Sequence, residues 1–494
     1  MSTDKFVPIP VGTKIPAPTA VQSFQRRQIF PRAPVTDTAW TGGKECQFSF
    51  AARGMDTLVT SQTRLVLKMH VRSNIVNNGA QINGGTAGFD RPPSASVRLA
   101  QDPVARAFSS ARFSIGGVTV TNTGADVQDI ATIIGRTQGT KPGAAAGGSA
   151  GLLSFDNRMM HKELAAGGAT VKSFHTDAER NSKHDIILKS AGNEFEVSTP
   201  LGNLLPFFMQ DRTYLRDVEL DVRLVVNSNF TQDMLFTQAV AAAPRAQGLE
   251  VGDASVGNTG LDAADRLIPQ MNALIPAANA GTHVVTVTEC FIDACYATPS
   301  APLPPLTLTG MQLPFTDITL YTRPLTAGQA TFTETFSGIS PSTNAIIVAL
   351  RTDTHALNQD RERYLLGGSN TGIKSIQATA GQWVAPQPSY NLNCPQRLAA
   401  RAMADFIDFV GGSARDGAGG FSYEEFCDAP LLCFRLLQPK GTYSPTCSLR
   451  IELLGNASAN TQLLVATVHS RVLELEYGQG SDLPIKVTVD EVIP

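Results

Sequence analysis

The sequence predicts an all-β chain built of consecutive antiparallel sandwiches, and three observations support this class. Period-two alternation recurs from near Ser49 to near Val489, long segments rich in Gly, Pro, Ala, Ser and Asn separate the alternating stretches, and helical periodicity is confined to a few short stretches. Asp217 to Val226 shows the alternation best, with an apolar residue at every second position. Because side chains on a strand point alternately to opposite faces, this segment buries one face and exposes the other.

Residues 1–40 predict an extended, basic amino-terminal arm. The prolines at positions 8, 10, 16, 18, 31 and 34 exclude a helix or a central strand. The segment also carries more basic than acidic residues, and we expect four of the basic residues to make contacts in the interior of an assembly: Lys14, Arg26, Arg27 and Arg32. The alternatives are a solvated tail, docking along a neighbouring subunit, and contact with an acidic partner.

Residues 41–300 predict a first sandwich. Its eight expected strands are Gln47 to Phe50, Thr63 to Arg72, Arg112 to Ile115, Val118 to Thr121, His184 to Leu188, Glu194 to Ser198, Arg216 to Asn227 and His283 to Tyr296. Between Asp126 and Gly135, three isoleucines at i, i+3 and i+4 predict a helix with one apolar stripe. Long loops are expected at 139–151 and at 239–281, the latter with a short helical piece near Asp262 to Ile268.

A cluster of prolines from Pro299 to Pro305 predicts the domain boundary, because proline cannot donate a hydrogen bond to a sheet. Residues 301–494 then predict a second sandwich. Its expected strands are Thr316 to Thr322, Ala330 to Phe336, Ala345 to Thr352, Gly372 to Thr379, Leu431 to Leu437, Ser448 to Leu454, Leu463 to Tyr477 and Ile485 to Val489. One helix is expected from about Pro395 to Val410. Eight antiparallel strands in two facing sheets are what a jelly roll requires, so we predict two tandem eight-stranded jelly rolls with long loops and a few short helices.

The amino-acid composition disfavours several classes of function and favours others. The 494 residues include 40 basic and 43 acidic ones, and a net charge of −3 argues against a surface dedicated to nucleic acid. Only 17% of the residues are charged, which favours a surface that neighbouring molecules cover. The seven cysteines form no CxxC pair, so buried free thiols are favoured over disulfides or a zinc site. The sequence shows neither a secretory signal nor an apolar run that spans a bilayer, and we expect synthesis in the cytosol.

No catalytic, cofactor-binding or metal-binding residue is predicted. The seven histidines lack metal-ligand spacing. Gly147 to Gly151 matches GxSxG, but no strand precedes it to form the strained turn that this motif needs. Glu424, Glu425 and Asp428 favour a solvated loop over a carbohydrate-processing site, because the chain has only Trp40 and Trp383 for stacking against sugars. The sequence therefore predicts a protein that is not an enzyme.

Several segments resemble a known family when they are taken in order. Ala107 to Ile134 (AFSSARFSIGGVTVTNTGADVQDIATII) resembles the strand, Gly turn, strand and helix of the first barrel of double jelly-roll major capsid proteins. Pro200 to Val226 (PLGNLLPFFMQDRTYLRDVELDVRLVV) resembles their apolar turn, aromatic pair and alternating strand. Leu320 to Asp353 is similar to the paired strands that open the second barrel, and Leu449 to Tyr477 to the closing strands. Within this family, these segments most resemble the capsid proteins of Polinton-like viruses, virophages and adintoviruses.

The resemblance implies a function in assembly. Two barrels per chain would give a homotrimer of six barrels, a pseudo-hexameric capsomer that tiles an icosahedral shell around double-stranded DNA, so that the protein would reside in the virion. The implied partners are further copies of the chain, penton and minor or cement proteins, and genomic DNA or an internal membrane contacted through the arm. The alternatives are a tandem jelly-roll protein that binds or processes carbohydrate, and a minor vertex or spike protein of such a virus.

Overall fold

The computed structural model describes the greater part of both predicted sandwiches. The described residues are 21–33, 40–53, 56–73, 76–77, 80–81, 97–99, 103–124, 127–138, 162–164, 171–173, 194–210, 214–237, 283–300, 311–352, 372–410, 423–436, 444–457, 461–478 and 483–491. The predicted strand His184 to Leu188 and the predicted helical piece Asp262 to Ile268 lie outside these residues.

Strands dominate both halves of the chain. Those of the first half are β1 (Val21–Ile29), β2 (Glu45–Ala52), β3 (Thr57–Val59), β4 (Arg64–Ser73), β5 (Val76–Asn77), β6 (Ala80–Gln81), β7 (Val97–Leu99), β8 (Phe108–Ile115), β9 (Val118–Asn122), β10 (Lys162–Leu164), β11 (Val171–Ser173), β12 (Phe195–Pro200), β13 (Tyr214–Leu215), β14 (Val218–Val226), β15 (Leu235–Thr237) and β16 (His283–Pro299). Those of the second half are β17 (Met311–Pro324), β18 (Thr331–Ser337), β19 (Thr343–Thr352), β20 (Ile373–Ala380), β21 (Trp383–Ala385), β22 (Leu432–Arg435), β23 (Thr446–Leu453), β24 (Thr461–Tyr477) and β25 (Pro484–Glu491).

The helices of the described residues are short. The α-helices are α1 (Pro103–Arg106), α2 (Val127–Gln138), α3 (Phe230–Met234), α4 (Ala400–Val410) and α5 (Tyr423–Asp428). Single 3₁₀ turns are formed by Thr60–Gln62, Leu201–Asn203, Pro206–Met209 and Cys394–Gln396. The helix predicted from Pro395 begins later because Arg397 has a φ of 60°, a left-handed conformation that interrupts helical geometry before α4.

The first sandwich is a jelly roll of two facing antiparallel sheets. One sheet contains β12, β4 and β16, with β1 paired along the far side of β16; the other has the order β2-β14-β8-β9. The alternation that predicted β14 is confirmed, since Val218, Leu220, Val222, Leu224 and Val226 are buried. Their side chains lie in one apolar cluster with those of the opposing sheet.

The second sandwich repeats the strand order of the first. In chain order, the eight sandwich strands of the first half are β1, β2, β4, β8, β9, β12, β14 and β16, and those of the second half are β17 to β24. When each set is numbered from 1 to 8, both halves form one sheet with the order 1-8-3-6 and another with the order 2-7-4-5. In the second half these sheets are β17-β24-β19-β22 and β18-β23-β20-β21. The prediction of two tandem eight-stranded jelly rolls is therefore confirmed, and the repeat lies in the topology.

Two assignments of individual strands differ from the prediction. Val21–Ile29 was predicted as part of an arm spanning 1–40, but it is strand β1 and pairs with Ile292 to Pro299 of β16, so the first sandwich begins before residue 41. The alternation rule missed it because β1 lies at the edge of the sheet and exposes polar side chains on both faces. In the second half, β21 was not predicted but is one of the eight sandwich strands, the fifth in chain order. Strand β25, which was predicted as one of the eight, is an addition that pairs beside the carboxyl-terminal half of β24.

The domain boundary predicted after residue 300 falls between the last described residue of the first sandwich, Ser300, and β17. The segment 301–310 lies outside the described residues, so the boundary itself stays a prediction. Within the described residues, no helix is both long and apolar enough to cross a membrane.

Candidate functional site: the junction between the sandwiches and the β1 edge

Helix α2 lies between the two sandwiches and contributes side chains to the core of each. Val127 and Ala131 belong to the apolar cluster of the first sandwich. The predicted stripe of Ile130, Ile133 and Ile134 is buried instead in the cluster of the second sandwich. An amphipathic helix buries its apolar stripe wherever a complementary face is offered, and here that face belongs to the other domain.

Polar contacts reinforce this helix at the junction. Asp129 of α2 accepts a hydrogen bond from Arg351 of β19, and the two side chains are 6% and 12% exposed. The guanidinium of Arg351 also donates to Oε1 of Gln462 from Nε at 2.9 Å and from Nη2 at 2.7 Å. Near the end of the helix, the fully buried Arg136 donates to the carbonyl oxygen of Ala429 in the second sandwich. A buried guanidinium and carboxylate are acceptable only when each is paired, so these contacts fix one arrangement of the two domains.

A second group of contacts runs in the opposite direction, from the second sandwich into the first. Phe315 of β17, together with Leu473, Leu475 and Tyr477 of β24, is buried in the apolar cluster of the first sandwich. The ring centroids of Phe315 and Phe207 lie 5.2 Å apart in an edge-to-face arrangement. The Tyr477 hydroxyl donates to the carbonyl oxygen of Arg216 at 3.2 Å. The long antiparallel partners β17 and β24 thus extend beyond their own sandwich to form part of the neighbouring core.

A buried polar network lies on β17 and β24 where these strands pass from one apolar cluster to the other. Asp317 pairs with Arg471 at 2.9 Å and is the register partner of His469. The imidazole contacts the hydroxyl of Thr343 through Nδ1 at 3.0 Å and that of Thr467 through Nε2 at 2.8 Å. Burial raises the pKa of Asp317 to about 6, although Arg471 opposes the rise. Burial lowers the pKa of His469 to about 4, and Arg471 lowers it further.

Two of the four predicted contact residues, Arg26 and Arg27, lie on β1. Arg26 pairs with Asp293 at 2.6 Å, Arg27 pairs with Asp56, and the Arg27 guanidinium stacks over the ring of Tyr296 at 4.7 Å. Both arginines are about half exposed, so each ion pair contributes roughly 0–1 kcal/mol to holding the edge strand. Arg32 is exposed in the turn after β1, and Lys14 lies outside the described residues. The role of these four residues in assembly stays a prediction.

The edge formed by β1 also exposes aromatic surface. Phe24 and Phe30 are 55% and 54% exposed. Phe30 contacts Phe291 of β16 at a centroid distance of 5.6 Å, and Val59, Cys295 and Ala297 form a small buried cluster on the same sheet. Of the two phenylalanines, Phe24 lies on β1, and Phe30 directly follows the strand.

The cysteines lie in the interior of the protein and form no disulfide. All seven are free and buried, as predicted. Burial raises the pKa of Cys46 to about 11 and of Cys447 to about 12, which keeps both thiols protonated. The pKa of Cys427 is lowered instead, by contact with Cys394 and by the neighbouring Arg397. No group of three or more His, Cys, Asp or Glu side chains that could hold a metal ion occurs among the described residues.

Of the residues considered for carbohydrate chemistry, Trp383 on β21 is partly buried against the apolar cluster of the second sandwich. Trp40 is buried against Phe108 and Phe230, where its indole cannot stack on a ligand. Glu424, Glu425 and Asp428 lie on helix α5 rather than in the predicted loop. Gly147 to Gly151, the GxSxG match, lies outside the described residues.

Comparison with known proteins identifies the fold but not a sequence family. No family model matches the chain, and no curated protein matches it. A chain from the cryo-EM structure of the Sputnik virophage is similar with a TM-score of 0.57 at 10% identity, covering 99% of this chain and 92% of that chain. The mavirus major capsid protein gives a TM-score of 0.49 at 11% identity, with 99% and 94% covered. The Faustovirus major capsid protein gives 0.44 at 9% identity, with 94% and 92% covered. The Sputnik match, together with the sheet order of the two sandwiches, confirms for the fold the resemblance to double jelly-roll proteins inferred from the sequence.

Proposed function

We propose that this protein is a major capsid protein. Three copies would form a pseudo-hexameric capsomer, and capsomers would tile an icosahedral shell around a double-stranded DNA genome, so that the protein resides in the virion. One observation carries the proposal: a single chain holds two jelly rolls of identical strand order, joined by a buried junction. Three such chains supply six similar barrels, which is the number that a hexagonal outline needs.

The junction supports this function because a subunit that packs side by side in a shell must keep its two sandwiches in one fixed orientation. The isoleucine stripe of α2, the pair of Asp129 with Arg351, and the packing of Phe207 on Phe315 all cross between the sandwiches. Each contact is satisfied in one relative orientation of the two domains. Rigid blocks allow many modest lateral contacts to form together, and multivalency then makes the shell stable.

The fold comparison supports the same proposal. The Sputnik chain that this protein resembles belongs to a virophage structure, and the match extends over nearly the whole of both chains. We propose a structural rather than an enzymatic role, with penton and minor or cement proteins as further partners. A carbohydrate-directed function is disfavoured by the burial of Trp40.

Analytical ultracentrifugation and negative-stain microscopy of the purified protein test the capsomer. We expect a trimer with a pseudo-hexagonal outline about 7–8 nm across, from six barrels whose sheets are packed about 10 Å apart. A protein that stays monomeric at the concentrations at which shells assemble would contradict the proposal. Copy number in purified particles separates a major protein from a minor vertex or spike protein.

The amino-terminal arm is proposed to contact neighbouring capsomers, a minor protein, the genome or an internal membrane on the inside of the shell. Since β1 belongs to the sandwich, the segment to remove is residues 1–20, which includes Lys14. We expect this deletion to leave trimers intact and to reduce the yield of shells. Replacing Lys14 and Lys5 by Ala in the full chain tests the charge alone. Shells that assemble with unchanged yield from the deleted chain would contradict this role.

A further inference from the structure

Strands β1 and β25 are two of the edge strands of the described residues, and each has a single partner strand. Strand β1 pairs with β16, and strand β25 pairs with β24. Neither has a second strand beside it within the described part of the chain. The free side of such a strand presents N–H and C=O groups that can pair with another chain.

Both edges also expose large apolar side chains. Phe24 lies on β1 and Phe30 directly follows it, and Ile485 of β25 is 68% exposed, with Val118 exposed in the adjoining part of the first sandwich. In the described residues only one other large apolar side chain is exposed, that of Leu398. Exposed apolar residues gathered at two strand edges mark surfaces that associate with protein.

The charges left unpaired at the two edges have opposite signs. Arg32, which follows β1, is exposed and forms no ion pair with a described residue. Asp490 and Glu491 at the end of β25 are exposed and likewise form no ion pair with described residues. Arg32 follows the carboxyl-terminal end of β1, and Asp490 and Glu491 lie at the carboxyl-terminal end of β25, so these charges meet when the docked strands run parallel. A parallel contact between two β1 edges, or between two β25 edges, would bring like charges together. A parallel contact of β1 with β25 brings opposite charges together.

We propose that β1 of one copy docks edge to edge and parallel with β25 of the next copy, and that three such contacts close the capsomer ring. The inference rests on the proposed homotrimer and names the surfaces that form it. Because the two surfaces differ, the contact is heterologous, and a heterologous contact generates a closed ring when the rotation between copies suits it. Closure of the ring pairs the β1 and β25 edges of every copy. These two edges are then no longer open to aggregation through strand pairing.

Cross-linking between single-cysteine variants tests the contact in the full chain. Phe24→Cys and Phe30→Cys are each co-expressed with Ile485→Cys on a separate copy of the chain, and the complexes are treated with a short bismaleimide. Because the two new thiols are on different chains, a linked pair of the two variants can form only between copies. The native cysteines are all buried, which limits their reaction. Leu398→Cys co-expressed with Ile485→Cys is the matched control, since Leu398 is exposed but lies at neither edge.

We expect linkage of Ile485→Cys to one of the two β1 positions and not to Leu398→Cys, with peptide mass spectrometry identifying the linked residues. A trimer by ultracentrifugation with no linkage at either β1 position would overturn this inference and leave the proposed trimer standing. Absence of a trimer would overturn both. As a second measurement, Arg32→Glu should lower the trimer fraction, and Arg32→Glu combined with Glu491→Arg should restore it. An unchanged trimer fraction in Arg32→Glu would count against the charge complementarity.

Discussion

Arg351 of strand β19 pairs with Asp129 of helix α2, and this buried ion pair joins the second sandwich to the first. The two residues are far apart in sequence and lie in different predicted domains. The contact holds the helix with its isoleucine stripe against the second sandwich, where the stripe is buried. The junction is thus both apolar and charged, and its parts can be tested separately.

The Asp129→Ala variant should be strongly destabilised. Removing the carboxylate takes the counter-charge away from the buried Arg351 guanidinium, and breaking a buried pair in this way costs about 3–5 kcal/mol. Urea unfolding curves measure the loss. The control is Glu219→Ala, because the pair of Glu219 with Arg53 is 56% exposed on both sides and should contribute roughly 0–1 kcal/mol. Equal losses in the two variants would show that the junction pair does not stabilise the protein.

The Phe315→Ala variant tests the apolar half of the junction. Phe315 is fully buried, and its ring packs on that of Phe207. Truncating a buried phenylalanine typically costs about 3–5 kcal/mol, because the side chain loses its transfer free energy and leaves a cavity. Leu398→Ala, at an exposed site, should change the free energy of unfolding by about 0.5 kcal/mol or less. A Phe315→Ala protein as stable as this control would rule out a tightly packed junction.

Sequence reasoning predicted the sandwiches but not the junction, for a physical reason. Alternation on β14 and the stripe of α2 are local patterns that burial on one face imposes, so a single segment reveals them. Which face buries Ile134, or which carboxylate pairs with Arg351, depends on residues in the other half of the chain. Strand β1 was missed because an edge strand with exposed side chains on both faces has no hydrophobic alternation to read.

Substitution of the neighbouring glycines Gly42 and Gly43 should have unequal effects. A Cβ at Gly42 would lie 2.7 Å from the Cβ of Ser228 and closer still to its backbone, so Gly42→Ala forces the two segments apart. Gly43 has open space around it but a φ of +79°, so Gly43→Ala should cost only about 1–2 kcal/mol of left-handed strain. Thermal unfolding of the two variants measures the order. A Gly43→Ala protein that is the less stable of the two would contradict the close approach at Gly42.

Asp317 and His469 should give opposite dependences of stability on pH. The pKa of His469 is lowered to about 4, so below its usual value of about 6.5 the unfolded chain binds a proton that the folded chain does not. Its contribution to stability therefore falls as the pH decreases from 6.5 to 4. The pKa of Asp317 is raised to about 6 from 3.8, so here the folded chain binds the extra proton. Its contribution rises as the pH decreases from 6 to 3.8.

Single variants should reveal each dependence, because the two largely cancel in the wild-type protein. Relative to wild type, His469→Gln should gain stability on acidification from pH 7 to pH 4.5, since only the Asp317 contribution remains. Asp317→Asn should lose stability over the same range. Each shift of about two pKa units corresponds to roughly 3 kcal/mol at full effect. Urea midpoints at both pH values measure the difference, and comparison with wild type cancels the titration of other carboxylates. Equal pH dependence in wild type and both variants would show that neither buried group is perturbed.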